Sequence, residues 1–228
     1  LVEAVPPDQI VWASDARPGL FEEDRPFVPA GESLALPKSF VRLAGSVLMH
    51  RDVGKFDLLY RIAWRVRART LRMSDAADKD LQRANHLAKS VGRDIHTMRA
   101  CVRFRLVADG HYVSWFEPDH LIVRANAGFF VRRFAAMRWS ILTPDLCIHW
   151  DGESVRESAG LDDRPALTDD AVEALWTRYY ASTFNPARLK IGAMIKEMPR
   201  RYWKNLPEAA LIPSLIADAQ AREDAMFE

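Results

Sequence analysis

The sequence predicts an α+β fold, a mostly helical single domain with a small antiparallel sheet. Three observations point there. Apolar residues recur at spacings of three and four across residues 55–100. The period shortens to two in CVRFRLVADGHYVSWFE, around the turn signal Asp109-Gly110. Helix signals return after residue 168. Helices, then a sheet, then helices is the order of α+β rather than of alternating α/β.

Each element has its own signal. Residues 1–36 are acidic and proline-rich, with Trp12, Phe21 and Phe27 between the prolines. They predict an extended arm packed on the domain, with one short strand around Ile10–Trp12. The domain proper is expected over 37–228. Residues 38–49 read as a short helix. In 55–70, Leu58, Leu59, Ile62, Ala63 and Val66 form one helical face. Residues 78–100 read as a longer helix, weakened in the middle by Gly92. The hairpin strands are expected at 101–107 and 111–116, followed by a helix over 119–136. Two more strands are expected at 139–142 and 146–150, then a polar loop over 152–167. Thr168 caps a helix over 169–184, and Asn185-Pro186 opens another that runs to 197. Pro199 stops it, and Pro207 and Pro213 start the last two helical pieces.

Composition narrows the function classes. With 49% hydrophobic and 28% charged residues, the 228-residue chain can bury a core and is not globally disordered. No apolar run approaches the ~20 residues of a membrane helix. The opening LVEAVPPDQI lacks the basic start of a signal peptide. Two cysteines cannot build a disulfide framework or ligate a cluster alone. A cytoplasmic setting is expected, with no membrane, cofactor or metal. The chain begins without methionine, so it is expected to be a module of a longer protein.

The net charge of +1 excludes a uniformly basic protein but hides a segregation. Residues 51–72 carry seven cations against two acids, 93–138 eight arginines against four acids, and 188–204 six cations against one acid. Residues 1–36 and 145–173 are strongly acidic. The cations are mostly arginine, whose planar fork suits phosphate.

Three constellations carry chemistry. Arg61, Arg65, Arg69 and Arg72 share a helical face and could neutralise successive phosphates, although a solvated helix face looks the same. In KEMPRRYWKNLPE, Lys196, Arg200, Arg201 and Lys204 surround Tyr202 and Trp203. Cations among aromatics suit a single strand or an exposed base, although the rings could equally pack a loop. Arg132 and Arg133 in the middle basic block are further phosphate candidates. Finally, Glu117, Asp119 and His120, with His149 and Asp151 and with His96, are the candidate acid–base or metal groups. No spacing among them matches a zinc signature, and isolated hydrogen-bonded residues are the plainer reading. P-loop, dinucleotide-fold, nucleophile-elbow and HExxH motifs are absent.

RDIHTMRACVRFR, YVSWFEPDH, FFVRRFAAMRWSILTPD, HWDG, YYASTFNPARLK and MPRRYWKNLPEAALIPSLI resemble a bacterial family of unknown function associated with DNA metabolism and repair. The resemblance spans residues 37–226. Members of that family occur alone or fused in front of a uracil-DNA glycosylase domain, and beside a radical-SAM protein. The AVPPDQIVW stretch resembles the glycosylase-fused branch. Thr97, Cys101 and Leu146-Cys147 depart from the family pattern, and Thr97 replaces a lysine. The resemblance implies a DNA-repair role and supplies no catalytic residue.

The leading expectation is therefore a DNA-binding accessory module. It would bind single-stranded or damaged duplex DNA and work with a uracil-DNA glycosylase domain in cis or trans, and with the radical-SAM protein. Two alternatives stay open. One is a DNA- or nucleotide-processing enzyme using His149, Asp151, Glu117 or His120. The other is a protein-interaction module docking repair partners.

Overall fold

The computed structural model describes residues 5–10, 12, 35–108, 110–164, 195, 198–214 and 217. The chain divides into two compact units, Leu1–Arg93 and Asp94–Glu228.

The first unit is helical. It contains α1 (Lys38–Leu48), α2 (Lys55–Arg67) and the first part of α3 (Lys79–Cys101). Leu58, Leu59, Ile62 and Ala63 of α2 are buried with Phe40, Val47, Leu81, Ala84 and Leu87, so the apolar face read from the sequence is the core face. Lys55 is buried too. Its Nζ donates to the carbonyls of Leu48 and His50 at 2.8 and 2.7 Å, satisfying groups that the end of α1 leaves open. Asp78 caps α3 by accepting the Leu81 N–H at 3.0 Å. The helix α2 ends two residues before Arg69, which adopts φ +57°. Thr70 and Leu71 N–H then both reach back to the Arg65 carbonyl.

The described part of the arm runs beside α2. No strand forms at Ile10 or Trp12; Pro7–Gln9 is instead a 3-10 turn. Pro6 and Pro7 lack the N–H groups a strand needs on both sides.

The second unit is built on a five-stranded sheet in the order β1-β2-β3-β4-β5. The strands are β1 (Arg105–Ala108), β2 (His111–Trp115), β3 (Arg138–Leu142), β4 (Leu146–Trp150) and β5 (Val155–Ala159). Gly110 takes φ +70° in the β1–β2 turn, where a side chain would be strained. The β2–β3 pair is parallel and the other three are antiparallel, so the sheet is mixed rather than wholly antiparallel. The crossover between β2 and β3 contains α4 (Val123–Arg133). Phe130 of α4 meets Trp139 of β3 edge-on at 6.2 Å, and Trp150 Nε1 donates to the Ala135 carbonyl at 3.1 Å.

The α+β class holds, with two further local corrections in the sheet. The first strand begins at Arg105 rather than 101, because α3 continues through Cys101, which is buried. Residues 155–159, expected as loop, form the edge strand β5. All five of its side chains are exposed, so it shows no apolar alternation. Its start is fixed by Asp151, and its end by Gly160, where any Cβ would overlap the Pro144 carbonyl.

Beyond Pro199 come two short 3-10 segments, Arg200–Asn205 and Pro207–Leu211. The helices expected over 169–184 and 186–197 fall almost wholly outside the described residues. Among the described residues, no helix is long and apolar enough to cross a membrane.

Candidate nucleic-acid interface

Two arginines of the row, Arg61 and Arg65 of α2, are engaged by acids. Arg61 pairs with Asp57 and, at 3.0 Å, with Asp80. Arg65 pairs with Asp78 at 2.6 Å and with Asp80 at 3.3 Å. Hydrogen bonding to Asp80 raises the pKa of Arg61, and hydrogen bonding to Asp78 raises that of Arg65. Arg65 in turn holds the Asp78 carboxyl below the usual range. Arg69 lies past the helix end in the left-handed region, so it leaves the row.

The segment around Tyr202 is neutralised by the other candidate set. Arg201 pairs with Asp119, and Lys204 Nζ lies 2.6 Å from Glu117. Two candidate acid–base residues are thus partners of two candidate phosphate ligands. Tyr202 is only 2% exposed and stacks on Phe116 at 4.9 Å with 13° between the rings, so it is not presented to a base. Trp203 is half-buried, with its Nε1 donating to the Met198 carbonyl at 2.9 Å and the Arg200 guanidinium 5.7 Å from its ring centre. Arg200 is exposed. Lys196 lies outside the described residues.

Beneath this segment sits Asp94, which is 3% exposed. Its carboxylate accepts the His120 N–H at 2.9 Å and the Tyr202 hydroxyl at 3.4 Å. Burial pushes its carboxyl up to about 6. The charge of Asp119 adds to that rise, while the hydrogen bonds and Arg201 oppose it. Burial likewise raises the pKa of the Tyr202 hydroxyl. The sequence does carry a trace of this group. Val91, Asp94 and Met98 follow at spacings of three and four, so an acid occupies a core-facing position.

His149 belongs to a different group. On one face of the sheet, His111 Nε2 lies 2.8 Å from Ser140 Oγ, which lies 2.7 Å from His149 Nδ1. His149 Nε2 lies 2.9 Å from Ser158 Oγ. Ser140 has one hydroxyl proton and two lone pairs, so at least one of the two rings donates to it. Burial lowers the pKa of His149, and the neighbouring His111 lowers it further. Ser140 is 4% exposed in the middle of a strand, a poor position for a nucleophile.

Asp151 does not join this chain. It accepts the N–H groups of Glu153 and Ser154, the Ser154 hydroxyl and the Arg156 guanidinium. The turn N–H groups hold its carboxyl down at about 2. His120 is mostly buried and His96 is exposed on α3. The acid–base candidates therefore divide between the Tyr202 segment, the sheet and a surface turn. Among the described residues, no three His, Cys, Asp or Glu side chains gather to hold a metal.

A further basic group lies on α4. Arg132 and Arg133 are exposed in the last turn of α4 and have no carboxylate partner among the described residues. Phe129 lies three and four residues before them, on the same side of the helix. Arg99 lies over the Phe129 ring at 4.8 Å, with its Nε donating to Asn126 Oδ1 at 2.8 Å. The Arg133 guanidinium lies 5.6 Å from the Phe134 ring centre, and Arg132 reaches back beside Gly128. By contrast, Arg124 at the start of α4 is paired with Glu157 at 2.7 Å.

The model of the DUF4130 family, a domain of unknown function, matches residues 53–208. The chain belongs to this family. No curated protein and no solved structure matches it. The DUF4130 match begins just before α2 and ends in the last 3-10 segment. It includes the Asp94–Tyr202 site, the His111–His149 chain and the Arg99, Arg132 and Arg133 group, while α1 and the arm precede it.

Proposed function

We propose that this DUF4130 chain is a DNA-binding accessory module of a cytoplasmic DNA-repair system. The reading rests on one observation: Arg99 lies over the Phe129 ring, and exposed Arg132 and Arg133 follow Phe129 on the same side of α4, with no carboxylate among the described partners of the three. The arginines at 61, 65 and 201 and Lys204 are engaged by acids. Arginine forks beside a half-buried ring can hold phosphates and leave a base close to an aromatic edge. The proposed ligand is single-stranded or damaged duplex DNA, with Arg200 and Trp203 as a second binding point. The uracil-DNA glycosylase domain and the radical-SAM protein enter through the family resemblance, as the partners that would perform the chemistry.

The test is binding of labelled single-stranded and nicked duplex DNA to the wild type and to Arg132→Glu/Arg133→Glu, over a range of salt. The expected result is steep salt dependence for the wild type. On a single strand, the logarithmic slope should fall by about 0.7 for each phosphate that the variant no longer neutralises. Circular dichroism checks that the variant is folded. Absence of DNA binding at low salt, or an unchanged slope in the variant, would overturn the reading.

A further inference from the structure

Asn126 of α4 is fully buried, yet the core gives its amide little. Its Nδ2 meets the Met98 sulfur at 3.2 Å, a weak acceptor. It also meets the Ile122 carbonyl at 3.4 Å, which already accepts the Asn126 backbone N–H. The one short hydrogen bond of this side chain to a strong partner runs outward: Oδ1 accepts the Nε–H of Arg99 at 2.8 Å. Arg99 is exposed, in the last turn of α3. Burying an amide costs free energy that an apolar side chain of similar volume, such as leucine, would not. What the amide adds at this position is therefore its hold on the arginine.

A second contact fixes the same group. The Arg99 guanidinium lies over the Phe129 ring at 4.8 Å, and Phe129 meets the buried Phe130 edge-on at 5.2 Å. The guanidinium is thus held by one edge and one face, both rooted in the core. With Nε engaged, the edge still open carries Nη1 and Nη2, and neither has a hydrogen-bond partner among the described residues. Two parallel N–H groups on a rigid plane match two oxygens of one phosphate. A fork ordered in advance also loses little rotamer freedom when it binds.

We propose that Arg99 is a preset fork for the oxygens of one phosphate group, and that Asn126 is its positioning residue. The proposal rests on the DNA-binding reading for the source of that phosphate, a phosphodiester of the bound strand.

The experiment has two arms, both on the full chain. In the first, nitrogen–proton NMR follows the Arg99 Nε–H, assigned by its loss in Arg99→Lys, as inorganic phosphate is added against sodium chloride at equal ionic strength. Phosphate should shift this signal in the wild type and chloride should not. In the second, a fluorescein-labelled oligo(dT) strand is bound over a range of salt. Arg99→Gln should lower the logarithmic salt slope by about 0.7. Asn126→Leu keeps every charge, so it should weaken binding about 3- to 10-fold and leave the slope unchanged, because the arginine must now be ordered on binding. Circular dichroism checks the fold of each variant. Should leucine disturb it, Asn126→Asp keeps the shape and sets a carboxylate on the fork, so it should lower the slope as Arg99→Gln does. The proposal is overturned if phosphate leaves the Arg99 signal unmoved, if folded Asn126→Leu binds DNA as the wild type does, or if Asn126→Asp keeps the wild-type slope. A shifted signal with no DNA binding upholds the fork for a free phosphate and sinks the DNA reading alone. DNA binding that ignores these variants upholds the DNA reading and sinks the fork.

Discussion

The Tyr202 hydroxyl and the Asp94 carboxylate lie 3.4 Å apart in a site where the two residues are 2% and 3% exposed. A tyrosine read as a base-stacking ring is instead a lid on a buried acid. The ring packs on Phe116 while its hydroxyl points at Asp94, so one side chain serves both the core and the carboxylate.

The Asp94 carboxyl, raised from 3.8 to about 6 chiefly by burial, makes stability depend on pH in a defined direction. The folded state holds this proton more tightly than the unfolded state. Its contribution is therefore full below the unfolded value, near pH 4, and is lost as pH rises through about 6. A rise of that size corresponds to about 3 kcal/mol. Asp94→Asn keeps the hydrogen-bonding shape without the charge. It should be more stable than the wild type by about 1–3 kcal/mol at pH 7.5 and show little gain at pH 4. Urea unfolding at the two pH values checks this, and equal effects at both would refute it.

His149 works in the opposite direction. Its pKa is lowered by burial and by His111, so stability is lost as pH falls below the ordinary imidazole value of 6.5. Ser140→Ala removes the hydroxyl that both rings share and should cost about 1–3 kcal/mol at pH 7.5, where both would lose a buried partner. Nitrogen chemical shifts should show His149 neutral in one tautomer at pH 7 in the wild type. A cationic His149 at that pH would contradict the assignment. In Asp94→Asn the acid-side loss from His149 should appear without the opposing gain from Asp94.

Arg69 occupies a conformation that suits glycine, at φ +57° just past α2. Arg69→Gly relieves that strain, offset in part by the greater freedom of glycine when unfolded. The expected result is a net gain of about 1 kcal/mol. Thermal unfolding should show a higher midpoint, with salt-dependent DNA binding unchanged. A clear drop in stability would mean that the Arg69 side chain makes an interaction worth more than the strain.

Helices α1 to α4, the central hairpin and the β3–β4 pair were legible in the sequence because each has a buried side with the right period. Leu58, Ile62 and Ala63 repeat at helical spacing, and Trp139 and Ile141 alternate along a strand. The edge strand β5 was hidden because it pairs on one side only and buries no side chain. The candidate site was less legible, because charge counts along a sequence ignore who stands opposite. Asp80, 15 and 19 residues from Arg65 and Arg61, bonds both. Glu117 and Asp119, more than 80 positions from Lys204 and Arg201, do the same for them. Arg61, Arg65, Arg201 and Lys204 differ from Arg132 and Arg133 only because those pairs form in the fold.

The parallel seam between β2 and β3 sets the order in which this sheet can close. On one side of it, β1 and β2 are joined by a tight turn; on the other, β3, β4 and β5 follow one another through short loops. Each half can therefore form from residues close in sequence. The seam between Val113 and Ser140 waits for the whole of α4 to cross over, and its pairing carries the larger loss of chain freedom. The sheet is in effect two local ribbons stitched late along a single line. Weaker packing at that line, such as Phe130 on Trp139, slows assembly, whereas a weakened β5 mainly lets the finished sheet fray from its edge.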